Sequence, residues 1–275
     1  MHLCNNKKIL GGNLIVSHKK VLITRPEGQQ HTLMNALTRQ HWQCFHQPLV
    51  SIHPITESDK GFYDLKNKIM NIDLYDIIIT VTSNASSLAY EWIDQYWPQI
   101  PINIQWFAVG KSSAQPLLPL GMNIKSPVEK HSEGLLALPE LQDLTAKKVL
   151  ILRGTGGREL IAQTLTARGA NVSYAELYKR QAISVHKSQL SALLTEQQIH
   201  YALVTSGEMA QQLANDLLPS ISNQLHLIIP SQRIYDNLIN MNLAKIFAGV
   251  HVCTNLDAEH VISFLDALYQ QTEQV

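Results

Sequence analysis

The chain lacks any imbalance of charge. Lysine plus arginine equals aspartate plus glutamate at 22 each over 275 residues, so no global field draws it to nucleic acid or to an anionic membrane surface. Anion binding must then come from local turns. Cysteine is scarce: Cys4, Cys44 and Cys253 are odd in number and far apart, which argues against a disulfide framework and a CxxC metal or redox site and fits a reducing cytoplasm. The twelve histidines form no HExxH, and His41, His46 and His53 miss the i, i+4 spacing of a helical metal pair, so they read as scattered surface residues. No apolar run reaches the roughly 18 residues a membrane span needs. The stretch from Ile9 to Val16 is short, holds Gly11, Gly12 and Asn13, and has no small-x-small cleavage site, which argues against a signal peptide. Residues 1–18 are expected to form a loose extension.

What is present begins with a turn. The apolar run Val149–Leu152 gives way, through Arg153-Gly154-Thr155-Gly156-Gly157-Arg158, to a helical pattern from Glu159 to Arg168. Glycines let the backbone approach a ligand without Cβ obstruction, and a helix N-terminus presents N–H groups and a positive dipole, so such a turn suits anionic oxygen. It lacks the GK[ST] ending of a phosphate loop and the full GxGxxG dinucleotide spacing, which sets a nucleotide-binding enzyme aside as the weaker rival reading.

The turn recurs. Sliding 21–50 onto 149–178 without a gap aligns Leu22 with Leu150, Arg25 with Arg153, Gly28 with Gly156 and Leu37 with Leu165. Val81-Thr82-Ser83 matches Val204-Thr205-Ser206, and Phe107 to Gly110 matches Leu227 to Pro230 more weakly. The chain reads as two related halves, and its 45% hydrophobic content supports two cores.

From Val21 onward, short β-rich runs alternate with amphipathic stretches, the pattern of βαβ units. Strands are expected at 21–24, 77–82, 105–109, 149–152, 201–205 and 225–229. Helices are expected at 29–40, 85–96, 112–120, 158–168, 207–217, 231–241 and 258–269. The half-polar segments 45–53 and 171–181 follow equivalent helices and suit linker strands between lobes better than buried core strands. The expected organisation is a discontinuous α/β domain of 19–50 plus 183–275, an inserted α/β domain of 54–176, and linker strands at 45–53 and 175–183. A ligand cleft is then expected between the lobes, beyond the carboxyl ends of the strands.

In this order, Leu22 to Pro26, Thr82-Ser83, Ala108 to Gly110, Ser132 to Leu135, Leu152 to Glu159, Arg168 to Ala170, Glu176 to Arg180, Thr205 to Glu208 and Pro230 to Ile234 make the chain resemble the uroporphyrinogen-III synthases, from about 21 to 268. The resemblance implies two similar flavodoxin-like parallel-sheet domains joined by a two-stranded β linker, with a cleft between them. It implies an enzyme that cyclises hydroxymethylbilane, a linear tetrapyrrole with eight carboxylates, losing water and inverting the last pyrrole ring. It further implies no cofactor, no metal, a monomer in the cytoplasm, and a possible transient partner in the enzyme that makes the bilane.

For the residues, the resemblance points to Tyr178 as the acid that assists departure of the hydroxyl; a phenol of pKa about 10 stays protonated at neutral pH and can donate. The alternative role for Tyr178 is packing on apolar surface with its hydroxyl in water. Substrate-binding roles are expected at the turns: Ser83 and Ser206 at equivalent strand ends, Ser113 after Gly110, the cradle glycines Gly154, Gly156 and Gly157, then Gly207 and Ser231. Ser83 and Ser206 could equally be helix caps. Arg25, Lys111, Arg153, Arg158 and Arg233 would add charge beside these turns, against the alternative of solvated side chains. A non-catalytic two-lobed small-anion binder would share this architecture, and a cyclisation assay separates the two.

Overall fold

The structure, a computed structural model, describes residues 19–129, 131–157 and 159–272. The expected N-terminal extension and Arg158 lie outside the described residues. In chain order the elements are β1 (Lys20–Ile23), α1 (His31–Arg39), β2 (Gln43–His46), β3 (Val50–Pro54), α2 (Phe62–Met70), β4 (Ile77–Thr80), α3 (Ser83–Tyr96), β5 (Gln105–Ala108), α4 (Lys111–Ala114), β6 (Ile124–Lys125) and α5 (Ser132–Leu136). There follow β7 (Lys148–Gly154), α6 (Leu160–Ala167), β8 (Asn171–Ala182), α7 (Lys187–Glu196), β9 (Tyr201–Leu203), α8 (Gly207–Asp216), α9 (Pro219–Ser222), β10 (His226–Ile229), α10 (Gln232–Asn240), β11 (Gly249–Val252) and α11 (Ala258–Thr272).

Two compact units emerge. One comprises the residues up to Ser51 with those from Gln181 onward; the other is Ile52–Arg180. The discontinuous unit carries one sheet in the order β11-β10-β9-β1-β2, parallel throughout. This is the flavodoxin-like order, in which the chain reverses its direction of travel across the sheet at one switch point. Here that point lies between β1 and β9. Fully buried strands such as Val21-Leu22-Ile23 follow from helices on both faces, which leave no solvated side to alternate toward. Leu22, Ala202 and Leu227 face one apolar cluster, and their neighbours Val21, Ile23, Leu203 and Ile228 face the other with Leu33, Leu37, Val261 and Leu265.

The continuous unit has the order β3-β8-β7-β4-β5-β6, with β8, β7, β4, β5 and β6 parallel. If β7 and β8 are taken as equivalents of β1 and β2, and β4, β5 and β6 as equivalents of β9, β10 and β11, the two orders are the same. The insertion therefore starts at its own third strand, and its switch point lies between β7 and β4. Its two faces are again filled separately, one around Leu150, Leu152 and Ile78 and one around Ile79, Ile151 and Phe107.

The segments read as linkers have a second role. Residues 43–46 form β2, an edge strand bonded in parallel to β1, and the first half of β8 bonds in parallel to β7. Their mixed polarity reflects places near a sheet edge, where one side meets solvent. The second half of β8 faces β3: Ile55 N–H donates to Leu177 O at 2.9 Å, and Ile183 N–H donates to Leu49 O at 2.9 Å. The helix expected over 112–120 is broken into α4 and a 3-10 turn, Gln115–Leu120, because Pro116 and Pro119 remove amide donors.

Candidate active site

Each unit carries its described candidate residues after the carboxyl ends of its own strands, some beside its switch point and some one strand further on. In the continuous unit the strands that meet at the switch point are β7 and β4, tied where Val81 N–H donates to Leu152 O at 3.2 Å. Beyond β4, Thr82 turns to extended geometry (φ −143°, ψ 155°) and its hydroxyl accepts from Ala85 N–H at 3.1 Å, capping α3. The cap is thus Thr82, and the exposed Ser83 is the first helical residue. In the other unit the cap is Ser206, which accepts from Met209 N–H at 3.2 Å. Ser83 and Ser206 are therefore one position out of step in role.

Tyr178, on β8, is 2% exposed. Its ring closes on Gly154: a Cβ there would sit 2.5 Å from the ring carbon Cζ. Its hydroxyl shares a hydrogen bond of 3.2 Å with Thr82 Oγ1, and its carbonyl accepts from Thr155 N–H at 2.7 Å. Gly154 is accordingly glycine to admit the tyrosine ring. Gly156 and Gly157 are glycine for their backbone, with φ of 71° and 101°. Tyr178 joins Thr82, the cap that follows β4, to the glycine turn at the end of β7.

The turn already holds carboxylates of its own. Arg153 is 5% exposed; its Nη1 pairs with Glu159 Oε1 at 2.9 Å, its Nε donates to Gly154 O at 3.1 Å, and its Nη2 donates to Gly156 O. The guanidinium stacks on the Tyr174 ring, 4.6 Å from its centre. Tyr174 donates its hydroxyl to the other Glu159 oxygen. That bond, together with Arg153, holds the Glu159 carboxyl below its usual range. Burial and then Glu159 push the Tyr174 phenol up to about 12. Gly156 N–H meets Glu176 Oε1 at 3.4 Å. Arg153 is thereby a staple of the turn, its charge met inside the chain.

Behind α3 runs a buried hydroxyl chain. Thr80 Oγ1 and Ser86 Oγ lie 2.6 Å apart, and Ser86 Oγ donates to Ser113 O at 2.5 Å. Ser113 is 6% exposed, so its contribution here is a carbonyl that fixes α4 against α3, while Lys111 at the start of α4 is exposed. In the discontinuous unit, Arg25 follows β1, Gly207 opens α8, and Ser231 stands at the start of α10 without a side-chain cap bond. Arg233 is exposed on the first turn of α10. Among the described residues no group of three or more His, Cys, Asp or Glu side chains is placed to hold a metal ion, and no helix is long and apolar enough to cross a membrane.

The sequence did not point to Thr82 as the partner of Tyr178, nor to Glu159 and Tyr174 as the partners of Arg153. A threonine between a strand and a helix is an N-cap signal, but the adjoining Ser83 carries the same signal.

The family model for uroporphyrinogen-III synthase HemD matches residues 31–245. The chain is 34% identical to the uroporphyrinogen-III synthase of Escherichia coli over 78% of this chain and 88% of that one. With that of Proteus mirabilis it is 33% identical over 70% of this chain and 96% of the relative. Among solved structures, a mutant uroporphyrinogen III synthase from Thermus thermophilus superposes with a TM-score of 0.59 at 12% identity, covering 91% of this chain and 99% of that one. The uroporphyrinogen-III synthetase of Helicobacter pylori gives 0.58 at 11% identity over the same 91% and 99%. These two likenesses establish the fold.

Proposed function

Because the chain belongs to the uroporphyrinogen-III synthase family, and so is a cyclising lyase of tetrapyrrole biosynthesis, we propose that the two switch-point turns hold the carboxylate arms of hydroxymethylbilane while Tyr178 assists loss of its hydroxyl. The observation that carries this is the placement of Tyr178 between Gly154 and Thr82. It sets a phenol beside the turn where main-chain N–H groups gather, with little room to move.

In the proposed step the Tyr178 O–H donates its proton to the substrate hydroxyl, the C–O bond breaks, and water leaves. The pyrrole nitrogen supplies the electron pair, giving an azafulvene cation. Thr82 Oγ1 turns its own proton toward the phenol oxygen and steadies the developing phenolate. The cation then joins the last ring, rearranges through a spiro intermediate, and the proton lost on rearomatisation returns to the phenolate. Because Tyr178 is nearly closed off, its proton turns from Thr82 Oγ1 to the substrate while the Thr82 hydroxyl keeps the contact as donor. The bilane closes unaided to the unrearranged isomer, so the protein contributes orientation above all, with fixed donors that need no reorganisation as charge develops.

Ser83, Ser206, Gly207 and Ser231 supply hydroxyls and N–H groups to the arms, with Lys111 and Arg233, both exposed, adding positive charge. We further propose a monomer working in a reducing cytoplasm, a setting consistent with the free thiols of Cys44 and Cys253, and receiving its substrate by transient contact with the bilane-forming enzyme. The test is isomer analysis after fresh hydroxymethylbilane is given to the purified chain. Predominance of the ring-inverted product supports the reading; only the unrearranged isomer would reject it in favour of a small-anion binder.

A further inference from the structure

Arg25 and Arg153 occupy the same place in the two halves, yet their surroundings differ. Arg153 meets Glu159, six residues on, at 2.9 Å. Six residues after Arg25 stands His31, and no carboxylate lies within ion-pair distance of the Arg25 guanidinium among the described residues. Glu27, the nearest acid in sequence, is turned to His46 Nδ1 at 3.6 Å and to Gln30 Nε2 at 2.8 Å. Arg25 itself has one contact for its fork, Nη2 donating to Leu256 O at 3.3 Å, while its Nε is buried with no acceptor. Burial lowers its pKa, the sign of a cation desolvated without compensation.

Buried charges in proteins are paired, because an unpaired one costs far more than a hydrogen bond returns. The position also matters: Arg25 stands at the end of β1, beside the β1–β9 switch point where ligands of such sheets bind, and part of its side chain reaches solvent. We propose that Arg25 receives a carboxylate of the ligand, the counter-charge that Glu159 supplies internally in the other unit. The two arginines then divide the work, Arg153 spent inside its turn as a scaffold beside Tyr178 and Arg25 an open side-chain anchor that selects polycarboxylates. The identity of that ligand as a tetrapyrrole rests on the function proposed above.

The test titrates wild type, Arg25→Met, Arg25→Lys and His31→Glu with two probes by calorimetry: uroporphyrin III, and benzenehexacarboxylate as a polycarboxylate that is not a tetrapyrrole. The melting temperature of the ligand-free proteins is measured alongside. Arg25→Met should weaken both probes roughly ten- to hundredfold, the loss of a charge-assisted pair, without lowering the ligand-free melting temperature. Arg25→Lys should fall between, keeping the charge but losing the fork. His31→Glu should weaken both probes by giving Arg25 an internal partner. Wild-type affinity for both probes in Arg25→Met overturns the proposal, as does a lowered melting temperature with unchanged affinity. If Arg25-dependent binding persists while only the unrearranged isomer forms from the bilane, the enzyme reading fails and this site stands. If the inverted product forms and Arg25→Met binds both probes as wild type does, the reverse holds.

Discussion

Gly154 shows how one residue decides where another acts. A methyl group there would sit 2.5 Å from the Tyr178 ring, so Gly154→Ala should cost about 1–3 kcal/mol as an overpacked site and slow turnover by moving the phenol. Wild-type stability and turnover together would show that the contact does not set Tyr178. Tyr178→Phe should leave the fold intact and reduce the turnover number more than KM, and unchanged turnover would remove the phenol from the chemistry. A separate pair reports on pH. His226 Nδ1 and His251 Nε2 lie 3.0 Å apart on β10 and β11, with Tyr201 stacked on His226. Burial, then His200, lowers the pKa of His226, and burial, then His226, lowers that of His251. A histidine whose folded pKa is depressed binds protons more readily when unfolded, so stability held above the ordinary histidine pKa of about 6.5 declines as pH falls below it. The melting temperature should therefore drop between neutral pH and pH about 5, and His251→Gln should flatten that drop; an unaltered slope would clear the pair of any part in it.

Several element ends carry strained residues. His41, Gln198 and Asn242 follow α1, α7 and α10 with φ of 66°, 53° and 56°, where Gly169 and Gly121 serve after α6 and the 3-10 turn. Gln198→Gly should raise stability by about 0.5–1 kcal/mol, relief of left-handed strain exceeding the added chain entropy; a lower melting temperature would mean its side chain contributes more than its backbone costs. The sequence announced six of the parallel strands because they are apolar runs buried on both faces. It concealed β11, whose four residues Gly249–Val252 are all only partly buried at a sheet edge, and it left α2 and α7 unassigned although each buries three residues. The candidate turns were legible because glycine and hydroxyl residues punctuate strand-to-helix junctions. Their partners were not: that Arg153 is satisfied by Glu159 while Arg25 is left open depends on rotamers that spacing does not fix, and the choice of Thr82 over Ser83 as cap is a shift of one residue.

At the scale of the molecule, one sheet order is used twice, and the second copy enters the chain at its third strand. The gapless match of 21–50 with 149–178 made the duplication visible, whereas the shared strand order and the two switch points needed the pairing itself. The continuous unit has two apolar layers of its own, so residues 52–180 expressed alone should melt cooperatively yet leave bilane closure unsteered. A non-cooperative transition would mean that this unit depends on the rest of the chain. The central claim is that each unit meets carboxylate ligand at the turns beside its own switch point. Backbone amide NMR shifts on adding uroporphyrin III test it most directly. The account predicts that the perturbed amides cluster at 24–28 and 204–208 in one unit and at 81–84 and 154–157 in the other; perturbations confined to one turn, or gathered at the amino ends of the strands, would contradict it.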